Sequence, residues 1–344
     1  MKNQKYQDLN NVWRKTDQYI LPEVNPVQTQ AKYDIYPSFK LEENLIYSGF
    51  ESLAETLIKN KVVVIDGYIG VLYDQFSHEL EESFKNRAIK TSWKSTSDFL
   101  KPADTIEKMV SHFTGGNDPL FGKRTSMNLE DLFDLDLLKK LKPDPSADLN
   151  LIIGPGASIA GWDGLLVYLD LPKNEIQFRS RAGIIANLGG IKPSEPKDMY
   201  KRFYFVDWIV LNKHKRSILN RVDLIADTTR PECPVWMTGD LLSKSLSVMS
   251  HNVFRVRPRF EPRAWGGTWI KEHIDGLNKD VVNYAWSFEL ITPENGLLFE
   301  SSGKMLEVSF DWLMYQEAKE VLGDSYSRFG TDFPIRFDFL DTFN

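Results

Sequence analysis

Apolar residues recur along the chain with different periods, and those periods predict its elements. Val62-Val63-Val64-Ile65-Asp66 is an unbroken, mostly β-branched run that stops at Gly67, the pattern of a strand buried on both faces. From Leu72 to Arg87 the apolar positions return at Leu72, Phe76, Leu80 and Phe84, which is one stripe of a helix. Strand, turn and helix therefore follow one another. Leu149 to Ile153, Leu165 to Leu171 and Val222 to Ala226 are further short apolar runs. The first two lead into turn residues and polar, helix-compatible sequence, as parallel strands covered on both faces should. Leu241, Leu242, Leu246 and Met249 fall on one helical face after Thr238-Gly239-Asp240 and predict the helix that closes this domain.

The flanks have a different grammar. Residues 1–45 mix Asn, Gln, Lys and Pro with isolated aromatics, as in Tyr33-Asp34-Ile35-Tyr36-Pro37, and read as an arm or edge hairpin draped over a domain. From Phe254 onward Pro258, Pro262, Gly266, Gly267 and Pro293 punctuate short runs such as Trp286 to Ile291 and Leu306 to Phe310, the signature of antiparallel β structure with irregular loops. The expected organisation is an arm over 1–45, a three-layer α/β domain over 46–250 and a β-rich region over 251–344.

Composition supports that division. A chain of 344 residues exceeds the roughly 250–300 that one hydrophobic core serves. With 42% apolar and 26% charged residues it is ordinary globular material. A net charge of −6 with both signs interspersed implies no broad basic surface for a nucleic-acid backbone, although a local pocket of Lys and Arg can still take a small phosphate. The single cysteine, Cys233, permits no internal disulfide and no thiolate metal cluster. No apolar stretch is long enough to span a bilayer and the start is polar, so the expectation is a cytoplasmic protein away from membranes.

Candidate chemistry in the first domain begins at Asp66-Gly67-Tyr68-Ile69-Gly70. A strand, a glycine turn and a helix N-terminus offer backbone N–H groups and a positive dipole end to a phosphate. A working phosphate loop also needs a Lys for the outer phosphates and a Ser or Thr for magnesium, whereas Tyr68, Ile69, Val71 and Leu72 stand here and Asp66 adds negative charge. Gly67 and Gly70 are thus also explained by a plain strand-to-helix turn. In Asn117-Asp118-Pro119-Leu120-Phe121-Gly122-Lys123-Arg124, Asp118 suits a base or magnesium ligand and Lys123 an anion contact, against the alternative of an Asp-Pro turn with a solvated basic pair. The order of these stretches, with Gly154-Pro155-Gly156-Ala157, Leu165 to Asp170, Lys173 to Arg181 and Tyr200-Lys201-Arg202-Phe203-Tyr204 after them, resembles the uridine-kinase-like nucleoside kinases. That resemblance implies a P-loop-kinase-like sheet and makes Arg179 and Arg181 candidates for a phosphate-binding lid. The missing phosphate-loop Lys makes the domain a degenerate member.

The second region resembles the opening of class I mannose-6-phosphate isomerases. Phe254 to Pro262 leads to Trp265-Gly266-Gly267-Thr268-Trp269. Tyr284-Ala285-Trp286-Ser287-Phe288-Glu289 follows, and then Phe333-Pro334-Ile335-Arg336-Phe337-Asp338. The resemblance implies the beginning of a cupin-type barrel, with Trp265, Gly266, Gly267, Trp286 and Arg336 as sugar-phosphate contacts, and core packing as the plainer account of Trp286. In that family a zinc ion held by Gln, His, Glu and His polarises the sugar carbonyl. Those ligands are not among the residues of this sequence, so no metal is assigned to it. His78, His112, His214, His251 and His273 lack short ligand spacing and read as surface or hydrogen-bonded structural residues.

The leading functional expectation is an isomerase-like protein for mannose 6-phosphate and fructose 6-phosphate, inactive by itself for want of its metal centre. Its partner would be a C-terminal cupin segment in cis or an oligomeric neighbour. The alternatives are a phosphotransferase using Asp66, Asp118, Arg179 and Arg181, or a non-catalytic module that senses a nucleotide or sugar phosphate and docks on the isomerase barrel.

Overall fold

The computed structural model describes residues 13–16, 20, 23–24, 38–116, 122–249, 256–258, 286–288 and 296–309. Its centre is a seven-stranded mixed sheet. In chain order the elements are β1 (Phe39–Lys40), β2 (Tyr47–Ser48), α1 (Phe50–Leu57), β3 (Val62–Gly67), α2 (Tyr73–Lys85), β4 (Thr91–Ser95), α3 (Ala103–Val110) and α4 (Leu135–Lys140). Then come β5 (Leu149–Ile153), β6 (Leu165–Asp170), α5 (Lys173–Arg181), α6 (Pro196–Arg202), α7 (Trp208–Ile218), β7 (Leu224–Asp227), β8 (Val235–Thr238) and α8 (Gly239–Met249). Four short strands end the described chain: β9 (Val256–Pro258), β10 (Trp286–Phe288), β11 (Gly296–Ser301) and β12 (Lys304–Ser309).

The large sheet has the order β2-β8-β7-β6-β3-β5-β4. From β7 to β4 neighbouring strands are parallel, and β8 and β2 add an antiparallel flank. The β3-to-β4 crossover runs one way along the sheet and the later crossovers run the other. The right-handed rule therefore places α2 on the opposite face from α5 and α7. Burial of all of β5 and of β3 from Val63 onward follows, and it is why these strands read as unbroken apolar runs.

The predicted strands at 62–66, 149–153 and 165–171 and the helix over 241–249 are present within a residue or two. The strand expected over 222–226 begins at Leu224, because Val222 ends a preceding 3-10 turn at Leu219–Arg221. Sequence periodicity does not reveal β4 or β8. Thr-Ser-Trp-Lys-Ser is an edge strand with no apolar run, each residue half-buried, and Val235–Thr238 is too short to announce itself.

The arm and the C-terminal hairpin meet. β11 and β12 are joined by Ser302-Gly303, both at positive φ, the geometry that matches strand twist in a two-residue hairpin. β1 pairs in parallel with β11. On the other side of the hairpin, Val24 bridges Lys304 and the Met305 N–H donates to Glu23 O at 3.0 Å. Both edges thus gain partners from the N-terminal arm, which answers the exposure that unpaired strand edges would bring. β9 and β10 pair antiparallel, with Trp286 opposite Pro258.

Candidate functional site

Adjacent β3 and β6 send their chains off in opposite directions, and an open α/β sheet takes ligands in the crevice at the carboxyl ends of such strands. Here each of the three neighbouring strands carries an aspartate at that end: Asp66 on β3, Asp170 on β6 and Asp227 on β7. All three are buried. A buried carboxylate requires charge or hydrogen-bond partners, and the partners define the site.

Asp66 fills an anion nest. Its Oδ1 accepts from the Gly67 N–H at 2.7 Å and the Gly156 N–H at 2.8 Å. Its Oδ2 accepts from the Ser158 N–H at 2.9 Å and the Ser158 hydroxyl at 2.6 Å, and lies 2.8 Å from His214 Nε2. The Gly154-Pro155-Gly156 turn after β5 makes this possible. Gly156 is left-handed at φ 78°, and a Cβ on Gly154 would lie 2.1 Å from Thr96 Oγ1. Successive N–H groups in such a turn form a concavity for an anion, and the protein's own carboxylate occupies it. Burial works against the charge on Asp66, but His214 and Ser158 outweigh it and hold the carboxyl below its ordinary value. For His214, burial favours the neutral ring while the charge and hydrogen bond of Asp66 raise its pKa above the ordinary value. Ser158, His214 and Asp66 do not form a nucleophilic triad. The serine hydroxyl and the carboxylate both approach Nε2, whereas a triad needs them on different ring nitrogens.

Asp170 is paired with the buried Lys215 ammonium at 2.9 Å and accepts the Ser309 N–H at 2.8 Å. Lys215 also donates to Ser309 O. Asp227 accepts the Thr229 N–H at 2.9 Å and, from β12, the Glu307 N–H at 3.0 Å, while burial pushes its pKa up. The strand β12 therefore lies across the carboxyl ends of β6 and β7, anchored through its backbone. At the start of α5, Lys173 Nζ sits 5.4 Å from the Tyr68 ring and 5.2 Å from the Trp208 ring, and Tyr68 donates to Asn212 Oδ1 at 2.6 Å. Trp208 Nε1 and Asn212 Nδ2 have no hydrogen-bond partner among the described residues, donors that a water or a small anion would satisfy.

The residues singled out from sequence part company here. Gly67 and Gly70 form the turn, Gly70 at φ 90°. A Cβ on Gly67 would fall 2.5 Å from Leu169 O, so close approach to β6 demands glycine. Arg179 does not reach outward as a phosphate lid. It is fully buried and donates to Gly70 O at 2.8 Å, Thr228 O at 2.9 Å and Thr229 O at 3.2 Å. Glu175 stands beside it and also takes a forked contact from Arg14 at 3.0–3.2 Å, so the arm and two strand-end loops are tied to α5. Burial lowers the Arg179 pKa to about 10, opposed by the charges of Glu175 and Asp227. Arg181 is exposed at the end of the same helix. The Lys123 side chain is exposed and its N–H donates to Phe113 O at 2.7 Å, away from the strand-end cluster's hydrogen bonds. Asp118, Trp265, Gly266, Gly267 and Arg336 lie outside the described residues, as does the Trp286 side chain.

Sequence reasoning does not single out Asp170, Asp227, Ser158 or Lys215, and it gives His214 no specific partner. A signal for the aspartates exists, since Val-Val-Val-Ile-Asp66, Leu-Leu-Val-Tyr-Leu-Asp170 and Leu-Ile-Ala-Asp227 each end an apolar run in Asp. Nothing local marks the helix residues that neutralise them. Among the described residues no group of three or more His, Cys, Asp or Glu side chains is placed to hold a metal. No helix among the described residues is long and apolar enough to cross a membrane.

Fold and site together define an α/β domain with a predominantly parallel sheet whose strand-end aspartates are neutralised from within. A family model described as Domain of unknown function (DUF8485) matches residues 49–251, and the chain belongs to that family. No curated protein matches it. Among solved structures it is similar to a protein described as a fructose transport system kinase from Silicibacter sp. TM1040, at 13% identity over 38% of this chain and 78% of that one, with a TM-score of 0.28, a level from which nothing further follows.

Proposed function

We propose that residues 46–250 are a kinase-like domain that has given up phosphate transfer and serves as a docking module for the region that follows. The observation that carries this reading is the anchoring of β12 on Asp170, Asp227 and Lys215, in the crevice where a sheet of this kind would take a ligand. Support comes also from Asp66, whose carboxylate uses the backbone N–H groups that a phosphate would need. A second anion there would find those N–H donors already taken by the Asp66 carboxylate. The docked region is, on the order of its Trp265-Gly266-Gly267, Trp286 and Arg336 stretches, the leading part of a sugar-phosphate isomerase domain. On that reading the 344-residue chain by itself should not interconvert mannose 6-phosphate and fructose 6-phosphate, and stoichiometric zinc binding with interconversion by it would overturn this part of the proposal.

Titrating the chain with magnesium ATP, UTP and uridine by calorimetry should give no phosphate transfer and no saturable binding at the Asp66 turn. Transfer to uridine would overturn the docking reading. Gly67→Val is unsuited to this test, because its side chain would strike Leu169 O and Tyr73 Oη and report on folding. A positive test is Lys215→Met, which removes the ammonium that pairs with Asp170 and donates to Ser309 O and leaves the direct Ser309 N–H to Asp170 bond in place. Amide exchange over 304–309 should quicken about tenfold or more while β5 changes far less, since each segment opens with its own free energy and β5 keeps all its neighbours. Equal protection in both proteins would show that Lys215 does not hold the hairpin in the crevice.

A further inference from the structure

A cavity of about 270 Å³ lies between α5 and α6, lined by Gln177, Ser180, Arg181, Pro196, Lys197, Tyr200 and Phe203. It is separate from the strand-end crevice. Lys173, at the crevice, opens α5 and Arg181 closes it, so at ~1.5 Å of rise per residue the two ends are about 12 Å apart. Nothing in this cavity depends on the docking of β12.

Two exposed cations from different helices, Arg181 and Lys197, are among the residues that line this concavity. Neither has a carboxylate partner among the described residues, although Glu195 and Asp198 flank Lys197 in sequence. The Arg181 guanidinium rests 5.6 Å from the Phe178 ring centroid, which limits its freedom. The end of a helix favours a cation, and that alone would account for Arg181. It does not account for the exposed Lys197, on another helix, lining the same hollow, where two like charges add their fields for an anion. The floor adds Ser180, a buried residue whose hydroxyl meets the Met199 sulfur at 3.5 Å. A thioether is a weak acceptor, so the hydroxyl remains available to a better partner. Gln177 contributes an amide, and Tyr200 and Phe203 contribute aromatic walls. The volume falls just under the ~300–1,000 Å³ of sites for drug-sized ligands.

From this lining we propose that the α5–α6 cavity binds a small organic phosphomonoester, with Arg181 and Lys197 on the phosphate, Gln177 and Ser180 on hydroxyl groups and Tyr200 against the carbon body. Guanidinium and ammonium groups match phosphoryl oxygens, and aromatic faces pack on sugar rings.

The test titrates the 344-residue chain with inorganic phosphate, glucose 6-phosphate and UMP at low salt, followed by NMR or calorimetry. Saturable binding of glucose 6-phosphate, tighter than that of inorganic phosphate, is expected. The Arg181→Gln/Lys197→Gln double variant should weaken it at least tenfold with no change in melting temperature. The exposed control Lys85→Gln should leave it unchanged, and Tyr200→Ala should weaken glucose 6-phosphate more than inorganic phosphate. The proposal is overturned if none of the three probes saturates, if inorganic phosphate binds as tightly as the sugar phosphate, or if the double variant binds like the parent.

Discussion

Asp66→Ala should destabilise the α/β domain by about 3–5 kcal/mol, the usual consequence of removing one partner from a buried ion pair. The substitution strands the N–H groups of Gly67, Gly156 and Ser158 together with the His214 ring. Against a total stability of roughly 5–15 kcal/mol, that is a large share, and chemical denaturation of the two proteins measures it. The same pair sets a pH dependence. His214 is held above its ordinary value of 6.5, so its contribution is fully present below that value and is lost as pH rises through the raised folded value. Asp66 is held below its ordinary 3.8, so its contribution is present above 3.8 and is lost as pH falls through the lowered one. Stability from this pair should therefore be greatest between those ordinary values and decline on the alkaline side. In His214→Gln, which keeps a donor without a titratable charge, the decline above neutrality should flatten. An unchanged alkaline slope in that variant would remove His214 from the account.

Arg179→Ala should be as damaging, at about 3–5 kcal/mol by the same reasoning, while Arg181→Ala should stay within ~0.5 kcal/mol as exposed substitutions do. The contrast separates two arginines that look alike in sequence. Arg179 is the donor to the carbonyls of Gly70, Thr228 and Thr229 and stands next to Glu175. Its loss uncouples the β3 turn, the loop after β7 and, through Glu175, the Arg14 contact of the arm. Denaturant midpoints for the two variants test this, and a mild effect of Arg179→Ala would mean that the guanidinium is not holding these loops together.

Arg179, expected as a phosphate ligand and found as a loop clamp, marks the point where local sequence stops being informative. Its spacing two residues from Arg181 on the last turn of a helix says that both can serve the helix dipole. Whether either faces solvent depends on which side of α5 packs inward. That is settled by β7 and the arm, whose residues lie far along the chain. The turn at Gly67 to Gly70 is legible, because a strand ending in glycine before a helical stripe has few other solutions. That the neighbouring Asp66 occupies an N–H nest is not, since the donors come from a loop some ninety positions later.

Residue order alone suffices for the elements that bury apolar side chains on their own period: the β-branched runs that form β3, β5 and β6, the amphipathic stripe of α2 and the closing helix α8. Hydrophobic burial is a local property of residue type, so it shows in the one-dimensional pattern. The partners of the charges come from the folded arrangement. Three aspartates at strand ends meet His214, Lys215 and the backbone of β12, all distant in sequence, because a buried charge is stable only where the fold brings its neutraliser within hydrogen-bond reach.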